Sequence, residues 1–116
     1  MSGEGRLSLH VLDTARGQAG DGLAFTLSVI GAQGDREILG RWVTDEGGRW
    51  MLDQAVTPLT AAIYEVIFEA EAYQRRFGQD SFYDLIALRV RITDPGGHYH
   101  IPLILSPYGY STYRGG

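Results

Sequence analysis

The stretch "HYHIPLILSPYGYSTYRGG", residues 98–116, decides the fold of this chain. Side chains alternate between the two faces of a β-strand, so an apolar residue at every second position predicts a strand with one face on a core. Residues 98–105 follow this rule, with an unbroken apolar face made of Tyr99, Ile101, Leu103 and Leu105. The other residues must then point away from the core: His98, His100, Pro102 and Ile104. A further strand is predicted at residues 108–113.

The rest of the chain has the same short β-rich runs. Sixteen glycines and four prolines divide it into segments rich in β-branched and aromatic residues, which is typical of an all-β domain. We predict strands at residues 7–13, 23–32, 37–44, 49–52, 62–70 and 82–93. The turns "AQGD" and "DEGG" predict two successive hairpins. About eight strands at this spacing favour a sandwich of two sheets.

One segment breaks the pattern. "EAEAYQRRFGQD" has no period of two and contains good helix formers that end on Gly78, so we predict a short helix at residues 71–78.

Length and charge limit the classes of function. With 116 residues we expect one domain, residues 1–116. The net charge is -4, and the ten basic residues are scattered arginines, which excludes the basic stripe of a nucleic-acid-binding protein. Zero cysteines exclude disulfides, thiolate nucleophiles and cysteine-type zinc sites. The first residues lack a secretory signal pattern and no run approaches the ~20 apolar residues of a membrane span, so we expect a cytoplasmic protein.

The three histidines are the candidate functional residues. In the first strand Leu7, Leu9 and Val11 form the core face, which leaves His10 on the outer face. All three histidines are therefore expected to point outward from the sandwich. Ordinary surface histidines, a histidine-type zinc site and a hydrolytic site are all compatible with this placement. A hydrolytic site also needs a cation for the developing oxyanion, and Arg49 and Arg41 are equally good candidates on sequence grounds.

The remaining candidate residues are expected to have structural roles. Known nucleophile, zinc and phosphate-loop motifs are missing from the sequence. Asp13, Asp45 and Asp94 lie in or next to turns, where we expect them to accept backbone hydrogen bonds. Trp42 and Trp50 are expected to pack beside one hairpin.

Three segments carry a family resemblance along nearly the whole chain. "LSLHVLDTARG", "TDEGGRW" and "HYHIPLILSPYGYSTYRGG" resemble the 5-hydroxyisourate hydrolases, the transthyretin-like enzymes of urate breakdown. The resemblance implies an eight-stranded sandwich with a short helix after the fifth strand. It also implies a homotetramer, a dimer of dimers, with sites in a channel between dimers. The channel would be lined by the outer face of the sheet that contains residues 7–13, 49–52, 98–105 and 108–113.

The resemblance also assigns residues. His10, Arg49 and His100 match the family's catalytic residues. Tyr113, Arg114 and Gly115 match the first three residues of its C-terminal tetrapeptide, which binds substrate, while Gly116 stands where the family usually has Ser. With these assignments, alternation along the last two strands places Pro102, Ile104, Ser111 and Tyr113 on the channel side, with Tyr110 and Thr112 turned inward.

The implied reaction is hydrolysis of 5-hydroxyisourate at its N1–C6 amide, giving 2-oxo-4-hydroxy-4-carboxy-5-ureidoimidazoline. A neutral histidine would remove a proton from water and Arg49 would stabilise the oxyanion. Sequence leaves open whether His10 or His100 is the base. We expect the reaction to need no metal ion or other cofactor. The alternative is a non-catalytic small-molecule binding protein like vertebrate transthyretin, which lacks the "YRG" ending and the histidine at the position of His100.

Overall fold

The computed structural model describes residues 5–116 as two stacked β-sheets and one helix. In chain order the elements are β1 Arg6–Asp13, β2 Gln18–Ala19, β3 Ala24–Ile30, β4 Arg36–Val43, β5 Arg49–Met51, β6 Ala62–Phe68, α1 Ala70–Arg76, β7 Ile86–Ile92, β8 His98–Ser106 and β9 Gly109–Thr112. The predicted all-β sandwich is therefore confirmed. The two-residue strand β2, which pairs with the end of β1, is the addition to the eight strands expected.

The two sheets have different orders. One runs β4-β3-β6-β7, all antiparallel. The other runs β2-β1-β8-β9, with β5 also paired to β1. In this second sheet β1 and β8 are parallel neighbours. The predicted composition of the channel-side sheet, β1 with β5, β8 and β9, is thus confirmed.

The core lies between the sheets and consists of the apolar strand faces that the alternation in the sequence predicts. The predicted inward faces of β1 and β8 are buried, from Leu7 to Val11 and from Tyr99 to Leu105. Phe25, Leu27, Val66 and Phe68 close the core from the other sheet. A fully buried side chain of this size contributes roughly 1.5–3 kcal/mol, so the apolar faces hold the sheets together.

The second predicted hairpin is wrong. Strand β4 ends in one sheet and β5 begins in the other, so the turn at residues 45–48 carries the chain across the sandwich. Gly48 makes this crossing possible: its φ is +71°, and a Cβ there would lie 2.4 Å from the carbonyl oxygen of Val11. Its own carbonyl accepts a 2.8 Å hydrogen bond from the Val11 amide, which fixes β5 against β1. Trp42 and Trp50 then meet across the two sheets, with ring centroids 4.9 Å apart.

The structure also differs from the sequence prediction near the helix. The helix predicted at residues 71–78 covers Ala70–Arg76 and is followed by Gly78 in a left-handed conformation with φ of +65°. The strand predicted at residues 82–93 covers only Ile86–Ile92. Before it the chain bonds to other segments, since the Phe82 amide donates to the carbonyl of Pro107. No helix within residues 5–116 has the length and apolar character needed to cross a membrane.

Candidate functional site

The sheet register places the candidate residues in two adjacent rows on the outer face. In one row Arg49 on β5 pairs with His10 on β1, which pairs with Pro102 on β8. In the next row Ser8 pairs with His100, whose backbone bridges to Gly115 in the tail. Because paired residues in neighbouring strands point to the same face, the rows bring His10, Arg49 and His100 together as predicted.

The pKa of His10 is lowered by its surroundings in this cluster. Burial lowers the pKa of its imidazole, and the charges of Arg49 and His100 lower it further. A backbone hydrogen bond to Gly47 and the carboxylate of Asp45 act in the opposite direction without reversing the shift. The ring centroid lies 6.3 Å from that of His100. His10 is therefore held mainly in its neutral form at neutral pH, which is the form that accepts a proton.

The ring of His100 is held on both edges. Its Nδ1 lies 2.7 Å from Oγ of Ser8 on one side. On the other side Gly115 lies so close that a Cβ there would be 2.6 Å from Cδ2 of the imidazole. The Gly115 amide also donates a 2.7 Å hydrogen bond to the carbonyl of His100. Only glycine fits this close approach, which gives the third residue of the "YRGG" ending a defined structural role.

The structure distinguishes the two arginines that the sequence left as equal candidates for the oxyanion cation. Arg41 lies on the other sheet and binds Glu69 through two hydrogen bonds of 2.7 and 2.9 Å. Arg49 borders the same cavity as His100 and forms no ion pair with any residue in the range 5–116. Its position is fixed from the backbone, where its amide donates to Oδ1 of Asp45 at 2.8 Å. Of the two arginines, Arg49 is thus the one available to a bound molecule.

A cavity of about 450 Å³ opens over this face. Its lining combines cationic and imidazole side chains with an apolar side: Arg6, Ser8, Leu9, Asp45, Arg49, Trp50, Met51, His98, Tyr99, His100 and Gly116. Its volume suits a small planar molecule, and its polar groups are mostly hydrogen-bond donors or imidazoles. Such a lining favours a molecule that carries hydrogen-bond acceptors or negative charge.

The tail residues divide between two places. Gly116 lines the cavity and Gly115 packs on His100, as described above. Tyr113 and Arg114 instead line a second cavity of about 310 Å³ with residues of β7 and the core face of β8. Arg114 also donates to the carbonyl of His98 at 2.9 Å and lies 4.3 Å from the centroid of Tyr99. Within a single chain, therefore, Tyr113 and Arg114 do not reach the first cavity.

Strand β9 keeps its predicted alternation. Ser111 pairs with Ile104 on the outer side and is exposed, while Tyr110 and Thr112 pair with the core residues Leu105 and Leu103. Tyr110 nevertheless remains 38% exposed. Strand β9 is the last strand of its sheet, where an inward direction does not bring complete burial.

Metal binding has no preformed centre in the part of the chain that is described. No three His, Asp or Glu side chains among residues 5–116 are grouped to hold an ion. His98 is exposed, although it borders the same cavity as His100.

The three aspartates accept turn hydrogen bonds, as predicted. Asp45 binds the Gly47 and Arg49 amides, and Asp94 binds the Gly96 amide. Asp13 also accepts hydrogen bonds from Tyr73 at 2.7 Å and Gln79 at 2.9 Å.

Sequence reasoning missed the contribution of Ser8 and Arg6 to the site. Both lie on the same face of β1 as His10, two and four residues before it, and both line the cavity. The alternation that placed His10 also places them, but a lone Ser or Arg on an outer face gives no chemical signal without its neighbour across the sheet.

Comparisons with known proteins agree on one family. Residues 7–115 match the model of the "HIUase/Transthyretin family". The protein named 5-hydroxyisourate hydrolase 2 of Rhizobium meliloti is 43% identical, with 99% of each chain covered. The solved structure of Klebsiella pneumoniae 5-hydroxyisourate hydrolase has a TM-score of 0.80 at 33% identity, covering 96% of this chain and 99% of that one. Sea bream transthyretin, solved in complex with thyroxine, has a TM-score of 0.83 at 27% identity, covering 94% and 93%.

Proposed function

This chain belongs to the HIUase/Transthyretin family, and on that premise we propose that it is an enzyme that hydrolyses 5-hydroxyisourate in purine catabolism. The observation that carries the proposal is the grouping of His10, Arg49 and His100 on one sheet face. Arg49 and His100 line a cavity of about 450 Å³, and His10 is the register partner of Arg49 beside it. The names of relatives such as the Rhizobium meliloti and Pseudomonas aeruginosa hydrolases support the same activity.

His10 serves as the general base in this proposal. Its lowered pKa keeps the imidazole neutral, so it takes a proton from a water molecule that attacks C6 of the substrate. When the C6–N1 bond breaks, the imidazolium returns that proton to N1, so that water is added across the amide and no co-reactant is needed. Such a base contributes typically ~10²- to 10⁴-fold in rate.

Arg49 and His100 act on the oxygen in this proposal. Arg49 is the register partner of His10, and its guanidinium, which forms no ion pair within residues 5–116, stabilises the negative charge that develops on the carbonyl oxygen. His100 lines the same cavity as Arg49 and lies in the adjacent row of the sheet, opposite Ser8. Gly115 and Gly116 shape the end of the site, while Ser111, Tyr113 and Arg114 contact substrate only if a second subunit or a movement of the tail brings them to it.

We extend the proposal to a homotetramer built as a dimer of dimers, in which the outer face of β1, β5, β8 and β9 meets its copy. A second subunit would close the open cavity and exclude water from it. Exposed aromatic and apolar side chains in and before β9 and just before β7 offer another contact: Phe82, Tyr83, Leu85, Tyr108 and Tyr110. Light scattering is expected to give four times the chain mass. A monomer mass with full activity would contradict the inter-dimer site. Cell fractionation would test the proposed cytoplasmic location.

The activity is tested by following the ultraviolet absorbance of freshly generated 5-hydroxyisourate. We expect the protein to accelerate its decay. Unchanged decay would remove the hydrolase proposal and leave the non-catalytic binding protein. Activity that survives chelators would agree with a reaction that uses no metal ion, whereas its loss would point to the zinc alternative.

The residue roles are tested by a matched pair of arginine variants. Arg49→Ala is expected to lower kcat by ~10²- to 10³-fold, the range for loss of an oxyanion donor. Arg41→Ala makes the same chemical change on the other sheet and should leave kcat unaltered, since Arg41 is bound to Glu69. His10→Ala and His100→Ala should lose turnover without unfolding. Near-normal activity in Arg49→Ala and both histidine variants would refute this site.

A further inference from the structure

Ser8 occupies the centre of the candidate site and has no role in the mechanism above. It lies on β1 between its register partners Met51 on β5 and His100 on β8. Its hydroxyl is half-buried and borders the cavity. Among residues 5–116 its one hydrogen-bond partner is Nδ1 of His100, at 2.7 Å.

The surroundings of His100 decide which part of its ring can reach a bound molecule. Ser8 covers the Nδ1 edge, and Gly115 is packed against the Cδ2 edge. The remaining tip of the ring, with Nε2, is the part left to face the cavity that His100 lines. The state of Nε2 therefore determines what His100 can do, and the group bonded to Nδ1 sets that state.

The direction of this hydrogen bond follows from the donors and acceptors around Ser8. A hydroxyl has one proton to donate and can accept a hydrogen bond on its oxygen. The lone pair of Nδ1 is the acceptor that the structure offers to Ser8. If Nδ1 carried the proton instead, the hydroxyl proton of Ser8 would have no acceptor among residues 5–116.

We propose that Ser8 is a positioning residue: its hydroxyl donates to Nδ1 of His100 and holds the neutral imidazole in the tautomer with its proton on Nε2, facing the cavity. His100 is then a hydrogen-bond donor that keeps its proton, acting with Arg49 on the substrate oxygen. His10 remains the base. The two histidines thus have different tasks because only one of them has a serine on Nδ1. The effect on turnover rests on the proposed hydrolase function, whereas the tautomer does not.

Nuclear magnetic resonance of the full chain with ¹⁵N-labelled histidine tests the tautomer directly. In its neutral form the His100 ring, assigned by its loss in His100→Gln, should show a protonated Nε2 and an unprotonated Nδ1. Ser8→Ala should give a mixture of the two tautomers, and Ser8→Thr should restore the single one. A protonated Nδ1 in the parent protein, or an unchanged ring in Ser8→Ala, would overturn the proposal.

Kinetics test the consequence for the reaction. Ser8→Ala is expected to lower kcat by roughly ten- to a hundredfold, as for other partners that orient a functional histidine, with KM changed less than about twofold. Ser8→Thr should recover most of the loss. Ser28→Ala is the control, because Ser28 lies on the other sheet and its buried Oγ has no partner within residues 5–116. Unchanged kcat in Ser8→Ala would refute the positioning role, while a parent protein without hydrolysis would refute the proposed function and leave the tautomer result standing.

Discussion

Replacing Gly115 with alanine would place a methyl group against the ring of His100. The new Cβ would lie 2.6 Å from Cδ2 of the imidazole and 3.3 Å from its Cγ. The first distance is about 1 Å inside the ~3.5 Å optimum between carbon atoms. The ring cannot turn away without stretching the 2.7 Å hydrogen bond to Ser8, and the tail cannot lift without losing the bond from the Gly115 amide to the His100 carbonyl.

Turning the ring displaces Nε2 of His100, whereas lifting the tail moves Gly116 away from the cavity that it lines. A displacement of about 1 Å in a catalytic group can lower turnover by ~10²-fold, which corresponds to about 2.7 kcal/mol of transition-state stabilisation. Stability should change little, because at most one neutral hydrogen bond worth ~0.5–1.5 kcal/mol is lost. We therefore expect Gly115→Ala to have much lower kcat with a Tm within about 6 °C of the parent.

The assay compares kcat for 5-hydroxyisourate decay with Tm in the same preparations. Gly109→Ala is the matched control, since a Cβ at Gly109 meets nothing within 4 Å and β9 is otherwise unchanged. If Gly115→Ala retained the kcat of Gly109→Ala, the close packing of the tail on His100 would have no part in function. That result would refute the argument that the rigid contact positions the ring.

Three further predictions concern charge and buried polar groups. Arg49→Gln removes a charge that lowers the pKa of His10, so the acid limb of the kcat/KM profile should move to higher pH in the residual activity. Tyr73→Phe deprives the buried Asp13 carboxylate of a 2.7 Å hydrogen bond and should cost about 1.5–3 kcal/mol in urea unfolding at pH 7, without loss of activity. Hydrogen bonding to arginine lowers the pKa of Glu65, which contributes stability above pH 4.5 that is lost as the pH falls. Glu65→Gln should therefore be less stable than the parent at neutral pH, with a difference in urea midpoint that shrinks below pH 4.5.

The faces of the strands could be predicted because alternation is local. Every second residue from Leu7 to Val11 and from Tyr99 to Leu105 is apolar, and burying the opposite set would have exposed all of them. The outward direction of His10 and His100 followed from this alone. The family resemblance then supplied Arg49, which the residues by themselves did not distinguish from Arg41.

The partners across the sheet could not be predicted, because they depend on which strands become neighbours. "DEGG" has the composition of a hairpin turn, yet Val11 and Gly48 join β5 to β1 through a close backbone contact that no local pattern reveals. Arg49 reaches His10 only through that crossing. For the same reason Ser8 looked like an ordinary outer-face residue until β8 placed His100 beside it.

The pairing of the strands fixes the relative positions of the site residues. His10 and Ser8 lie two residues apart on β1, and their partners Arg49 and His100 come from strands on opposite sides of it. All four residues are thus held by hydrogen-bonded strands and not by loops. Sites built on strands keep their geometry better than sites built on loops. The tail is the exception: it is joined to β8 by a hydrogen bond from the Gly115 amide to the His100 carbonyl and by one from the Arg114 side chain to the His98 carbonyl. A weakened tail should therefore affect His100 before it affects the pairing of His10 with Arg49, so kcat in tail variants should fall while the acid limb set by His10 stays in place.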